Sequence, residues 1–332
     1  MKIAIIYSLP TRRVKETPYL ATDEDTKDSA EEVSEVLQTK GVQTTLVPVS
    51  EDAIDLFKTI GADVIFNLIE WDGFDTPLTL KAMGILESLN IPYTGSSIKA
   101  IEIVSDKVKM KETLDVNKLP TARWQIFTHG DEPVRPDFHY PIILKLAWEH
   151  CSVGLTKDAI VTSPESLTAA VKERIRIFKQ PVYGEEFISG REFQVTILEE
   201  KKGLRVLPPA EITFTKHGTD AFLTYESRWN DEHPDYDTSS VRKADLTPTL
   251  IQKLYRIAHK TYKAFDFHDY ARLDIRCRDE DVYILEANAN PGLGDDEDYG
   301  MTVSYKAAGM TFADFCWEVV ESCLRRFNQR TS

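Results

Sequence analysis

The residues best suited to chemistry lie between Tyr270 and Asn288. Two runs of alternating apolar and polar residues flank a charged turn around Glu280, the pattern of an antiparallel hairpin. Centring the turn on Glu280 sets Asp274 opposite Glu286 and Arg272 opposite Asn288. Side chains two apart share a face of a strand. Arg272, Asp274, Glu286 and Asn288 are therefore expected to project from one side of the hairpin. Two carboxylates gathered with an amide repel unless a cation joins them. Oxygen-only donors suit Mg2+ or Mn2+, with phosphate and water completing an octahedron. Arg272 would face the same centre and could hold a phosphate or a developing oxyanion. The spacing equally describes an exposed strand face with a surface ion pair, and alone it leaves both readings open.

The elements around this hairpin fall into two styles. Over the first hundred residues strands and helices alternate: strands at 2–7, 44–49 and 63–69, helices at 29–40, 52–60 and 77–89, and a short strand and turn at 93–96. That order implies a parallel sheet with helices on its faces. The first strand runs into Ser8-Leu9-Pro10-Thr11-Arg12-Arg13 and not into GxGxxG, which argues against a dinucleotide-binding domain. Beyond about residue 105 short strands dominate, at 121–127, 141–147, 159–162, 182–188, 192–199 and 205–213. Helices are expected at 164–178, capped by Ser163, at 248–265 and at 311–327. The polar stretch 214–245 reads as a long loop, and a loop of that length in a compact domain is usually functional.

Composition narrows the classes. The chain has 332 residues and a net charge of −14, against the basic face that nucleic acid or an anionic membrane requires. Apolar residues make up 42%, enough for a sizeable core. Four cysteines without a CxxC pair fit a reducing compartment, and no apolar run is long enough to span a bilayer, so a soluble cytoplasmic protein is expected.

Glu286-Ala287-Asn288-Ala289-Asn290-Pro291-Gly292, preceded by Arg272-Leu273-Asp274, resembles the metal-binding end of ATP-grasp ligases, most of all the D-alanine–D-alanine ligase branch. Other stretches resemble that family in the same order: Pro92-Tyr93-Thr94-Gly95-Ser96 with Ser105-Asp106-Lys107, then Pro141-Ile142-Ile143-Leu144-Lys145 with Ser152-Val153-Gly154, then Glu185 to Phe193. Together they cover roughly residues 60 to 310. Each motif is weak alone; their order lifts the metal reading of the hairpin above the surface ion pair. The resemblance implies an ATP-grasp fold with an N-terminal parallel α/β (pre-ATP-grasp) domain. The domains would be 1–100 for substrate, 101–184 as the central lobe, and 185–332 as the C-terminal lobe with the metal site and a mobile loop at 214–245.

The resemblance also implies roles. Lys107 and Lys145 would contact ATP phosphates, Glu185 with the backbone of Glu186 and Ile188 would meet adenine, and Glu192 would bind the ribose. Asp274, Glu286 and Asn288 would hold two metal ions, Mg2+ or Mn2+. Arg272 would stabilise the acyl-phosphate and the tetrahedral intermediate, and Ser152 lies in the loop over the phosphates. The implied chemistry is activation of a carboxylate as an acyl-phosphate, which an amine then displaces; both would be small molecules, probable amino acids in this family. A homodimer is implied by the resemblance alone.

Departures from the family fall at the substrate positions. Cys151 takes the place of a Ser in the first amino-acid site. Arg228 and Trp229 stand for a phosphate-binding Lys and a Tyr, while Glu70 ends the third strand as in the family. After Pro291-Gly292 the family has small hydroxyl residues, whereas here Asp295-Asp296-Glu297-Asp298 follow. Those acids, with Glu297 and Asp298 taken as substrate contacts, would repel a carboxylate-bearing acceptor. They point away from D-alanine as both substrates, leaving a true D-alanine–D-alanine ligase, an intramolecular cyclase and a catalytically silent ATP-binding protein as alternatives.

Overall fold

In the computed structural model, which describes residues 1–331, three sheets follow one another along the chain. The first is parallel: β1 (Lys2–Ser8) lies between β2 (Gln43–Val49) and β3 (Val64–Leu68). Ile3, Ile5, Val64 and Phe66 are almost wholly buried, so these strands read as continuous apolar runs, as strands covered on both faces must. The helix Ala21–Gln38 packs on β1 and β2. It starts eight residues before the expected 29, because its first two turns are polar and carry no apolar period to read. The expected helix at 52–60 is a 3-10 segment, Ile54–Thr59, and the expected strand at 93–96 is a single bridge, Tyr93 to Ile65.

The second sheet is antiparallel, in the order β4 (Trp124–Phe127), β7 (Val182–Glu186), β5 (Ile142–Leu146), β6 (Ile160–Val161). The helix Pro164–Phe178 backs it, with the Ser163 side chain accepting from the Ser166 amide as an N-cap. Two helices absent from the sequence reading lead into this sheet, Ile98–Val104 and Lys107–Val116. Asp106 caps the second by accepting from the Val108 and Lys109 amides, which presents Lys107 and Lys111 one turn apart on one side.

The third sheet is built from β8 (Arg191–Glu200), β9 (Gly203–Val206), β10 (Ala210–Phe214), β11 (Ser239–Lys243), β12 (Tyr270–Arg278) and β13 (Asp281–Asn288). The single strand expected at 205–213 is two, since Pro208 and Pro209 have no amide to donate to a ladder. The stretch 214–245 is not a plain loop. It carries the helix Tyr225–Trp229 and then β11, which pairs antiparallel with β10. Its polar residues hide these elements because one face of each stays in water. The helix Pro248–Ala264 packs on β8, and Gly300–Ala307 and Phe312–Thr331 close the chain. No described helix is long and apolar enough to cross a membrane.

The β12–β13 hairpin pairs Arg272 with Asn288 and Asp274 with Glu286. Its turn is nevertheless Asp279-Glu280, with Arg278 opposite Asp281. The two registers are reconciled by a bulge at Leu285, between Ile284 paired with Ile275 and Glu286 paired with Asp274. Bulges of this kind re-aim side chains beside functional sites. Here Ile284 stays in the core, while Leu285 and Glu286 both line a cavity.

Candidate active site

Two cavities meet above the hairpin. One, of about 910 Å3, lies between the second and third sheets and is lined by Lys107, Lys145, Glu185, Ile188, Glu192 and Phe222 among others. The second, of about 1260 Å3, reaches the first sheet and is lined by Glu70, Trp229, Arg272, Asn288 and Gly292 among others. His150, Cys151, Ser152, Arg228, Asp274 and Glu286 border both.

At their junction every carboxylate is matched by a cation. Arg272 reaches Asp274 through Nε at 2.8 Å and Nη2 at 3.1 Å, and Asn288 Nδ2 donates to Asp274 at 3.1 Å. Lys107 Nζ lies 2.7 Å from Glu286 Oε1, and His150 Nδ1 2.9 Å from the same oxygen. Burial opposes ionisation of Glu286, but the Lys107 ammonium and His150 hold its carboxyl well below the usual range. The donor set presented here, two carboxylates and a carboxamide oxygen on one strand face, fits a hard divalent cation.

Behind the first cavity is a buried charge network. Glu185, 1% exposed, bridges Lys145 at 2.6 Å and Lys111 at 2.8 Å, and accepts from the Tyr183 hydroxyl at 2.6 Å. Lys111 is fully buried and donates as well to Thr121 Oγ1 at 2.6 Å. Burial pushes the Glu185 carboxyl up, yet the two ammonium groups outweigh it and draw it down to about 2. Glu185 thus holds two ammonium groups in place, one of them the Lys145 expected to act on phosphate. The Glu186 side chain turns away, accepting from the His139 amide at 2.9 Å and Arg123 at 3.3 Å, so only its backbone can serve the cavity.

Arg276 organises the far end. It donates to Glu192 at 2.8 Å and to the Ile188 carbonyl at 2.9 Å, bonds the Ala221 carbonyl, and stacks 4.8 Å from the Phe187 ring. It joins the crossover after β7, the start of β8 and the 214–245 segment in one cluster. Arg276 shares the strand face of Arg272 and Asp274, so alternation on β12 would have pointed to it. Lys111 and His150 carry weaker signals: one helical turn from Lys107, and adjacency to Cys151.

Cys151 and Ser152 both adopt left-handed backbone, with φ of 52° and 63°, which is uncommon for residues other than glycine. Strain of this kind collects where a loop must hold a set shape at a site. Burial pushes the Cys151 thiol far above its ordinary value, which leaves it protonated and a poor nucleophile. The Trp229 indole donates to the Cys151 carbonyl at 3.0 Å, and Arg228 stacks 5.3 Å from the Trp229 ring. Thus the 214–245 segment touches the Cys151–Ser152 loop directly.

Glu297 is the member of the expected site that the structure sets apart. Asp295 accepts from Tyr305 at 2.6 Å and pairs with Lys306 at 3.1 Å. Glu297 is 86% exposed and faces Lys306, not the second cavity. Asp296 and Asp298 border a neighbouring cleft that Arg228, Trp229 and Arg272 also line. A charged loop that extends into water keeps its hydration, whereas turning it inward would strand four carboxylates. Glu297 thus stands apart from the second cavity, whereas Asp298 stays in a cleft that reaches Arg272.

Comparison with known proteins agrees with this arrangement. Residues 114–321 match the family described as D-ala D-ala ligase C-terminus. The D-alanine–D-alanine ligase of Nitrosococcus oceani is 30% identical over 73% of this chain and 72% of its own length. That of Bordetella avium is 28% identical over 90% of this chain and 91% of its own. In fold, the chain superposes on the crystal structure of D-alanine–D-alanine ligase from Bacillus anthracis complexed with ATP with a TM-score of 0.75, at 21% identity and 99% coverage of both. The chain belongs to the D-alanine–D-alanine ligase family of ATP-grasp enzymes, ADP-forming ligases that make carbon–nitrogen bonds with ATP and a divalent metal.

Proposed function

We propose that this enzyme joins the carboxylate of one amino acid to the amine of another, with D-alanine serving on both sides. The observation that carries this is the junction of the two cavities, where Arg272, Asp274, Glu286 and Asn288 share one face with Lys107 beside them. The kinship with D-alanine ligases favours D-alanine over the reading against it, and the outward placement of Glu297 weakens the argument from an acidic acceptor site.

Asp274, Glu286 and Asn288 would hold two divalent ions, Mg2+ or Mn2+, which supply positive charge against the phosphate oxygens. The rest falls to the chain's own groups. Lys107 and Lys145 bring two ammonium charges to the triphosphate, and Glu185 keeps Lys145 in place. The donor carboxylate attacks the γ-phosphorus, the bond to the β-phosphate oxygen breaks and ADP leaves, which gives an acyl-phosphate, an electrophile that a carboxylate at neutral pH is not. The amine adds to its carbonyl carbon, and phosphate leaves. Arg272, held by Asp274, meets the charge that builds on the carbonyl oxygen. Arg228 and Trp229, pressed onto the Cys151 loop, keep water from the acyl-phosphate.

The test is ADP and phosphate release with Mg2+ or Mn2+ and D-alanine alone, with mass spectrometry of the product. D-alanyl-D-alanine, lighter than two alanines by one water, is expected. ATP binding without turnover for D-alanine in any pairing would overturn the reading. We also expect a homodimer, checked by sedimentation velocity, and residence in the cytoplasm, where the four unpaired cysteines stay reduced.

A further inference from the structure

A third cavity, of about 880 Å3, opens from the second on the far side of Cys151. The two share Thr22, Glu70, Asp72, His150 and Cys151 in their walls, so a molecule in one can extend into the other. The new space lies beside His150 and Cys151, on the side of the junction where Lys107 and His150 meet Glu286. It lies away from Gly292 and Tyr299, which border only the other end. It therefore extends from the place of the carboxyl donor and not from that of the amine.

Its chemistry is that of a long side chain with a cationic end. Phe74 and Phe178 give it apolar walls. Asp72 and Glu149 supply carboxylates, and among the described residues neither stands in an ion pair. Glu149 accepts one hydrogen bond, from Gln180 at 2.8 Å, and lies so close to Gly73 that a Cβ there would sit 2.5 Å from both its oxygens. The cations of this wall are taken: Arg13 pairs with Asp75 at 3.0 Å, and His150 is bound to Glu286. The buried Nε2 of His150 has no hydrogen-bond partner among the described residues and is left for a ligand to satisfy. A metal ion is a poorer occupant. Glu70, Asp72 and Cys151 place ligand atoms within 4.8 Å of one another, but the buried thiol keeps its proton.

We propose that this cavity is a side-chain pocket of the donor site, and that besides alanine the enzyme binds there an amino acid whose side chain ends in an ammonium or guanidinium group. The aromatic walls take the methylene stem, and Asp72 and Glu149 take the charge. The inference rests on the ligase reading for the place of the donor, but its test does not need turnover.

The experiment is calorimetric titration of D- and L-lysine, and of D- and L-norleucine as uncharged matches in length, into the full chain loaded with Mg2+ and a non-hydrolysable ATP analogue. One enantiomer of lysine is expected to bind about tenfold more tightly than its norleucine match, the scale of one partly solvated charge pair. Asp72→Asn and Glu149→Gln should each collapse that ratio towards one. Two separate variants are made because Glu149 is wedged against Gly73 and its replacement could unsettle the loop. Equal or tighter binding of norleucine, no binding of lysine, or a ratio untouched in both variants overturns the proposal. Failure of D-alanine turnover with the lysine preference intact would instead remove the ligase reading and leave the pocket.

Discussion

Replacing Glu185 by Gln removes one charge from a site where three groups depend on it. The carboxylate is 1% exposed and lies between Lys145 and the wholly buried Lys111. Glutamine keeps the shape and a hydrogen-bond acceptor but strands the Lys111 ammonium in the interior with only Thr121 and the Ile284 carbonyl as acceptors. Removing one partner of a buried pair costs about 3–5 kcal/mol, mostly because the other charge is left uncompensated. The midpoint of thermal unfolding should fall by roughly 4–7 °C, and KM for ATP should rise about tenfold as Lys145 loses its anchor. Adding Lys111→Met takes away the stranded charge, so the double variant should regain a large part of the lost stability while the KM for ATP stays high. Calorimetry and steady-state kinetics on wild type, both single variants and the double variant form a cycle that isolates the coupling. The reasoning is refuted if Glu185→Gln unfolds like wild type, or if the double variant is no more stable than Glu185→Gln alone. There is also a pH signature. The folded carboxyl lies at about 2, below its ordinary 4.5, so its contribution is complete above the ordinary value and fades as pH falls from there towards 2. The glutamine variant should lack that part of the acid limb.

Three further outcomes follow from the same geometry. Arg272→Met should lower kcat about 10²–10³-fold with little change in the KM for ATP, as expected for a group that acts on charge developing in the reaction; an equal rise in KM would refute that role. Arg276→Leu should raise the KM for ATP and leave kcat nearly intact, because Arg276 joins Ile188, Glu192 and Ala221 around the first cavity; kinetics at saturating amino acid decide this. Asp235→Ala should speed proteolytic cleavage within 214–245 at neutral pH, since Lys157 and Lys216 both pair with Asp235 and draw its carboxyl down to about 2, below its ordinary 3.8. That clamp holds above the ordinary value and weakens as pH falls towards 2, so wild type under pepsin at the acid end should approach the variant's cleavage rate.

What could be read along the chain was what short-range rules decide. The alternation in 270–288 and one turn place Asp274 opposite Glu286, because a hairpin pairs near neighbours and a strand has only two faces. The alternating strands and helices of the first hundred residues likewise imply a parallel sheet, and Ser163 acts as a cap within its own segment. The family could be recognised because its motifs keep their order. Contacts between distant segments had no such local mark. Lys111 and Glu185 are 74 residues apart, and only the packing of a helix against β7 makes them a pair. The bulge at Leu285 was invisible because Ile284 and Leu285 are both apolar, and alternation does not say where a ladder slips. The acidic run shows the limit most plainly: four carboxylates in sequence announce a charge, but only the fold sends Asp295 to Tyr305 and Lys306, Glu297 into water, and Asp298 to a cleft shared with Arg272. The cavity behind Cys151 belongs to no single segment. It exists where the first sheet's loops meet the second lobe, so only the tertiary structure could bring Asp72 and Glu149 to one space.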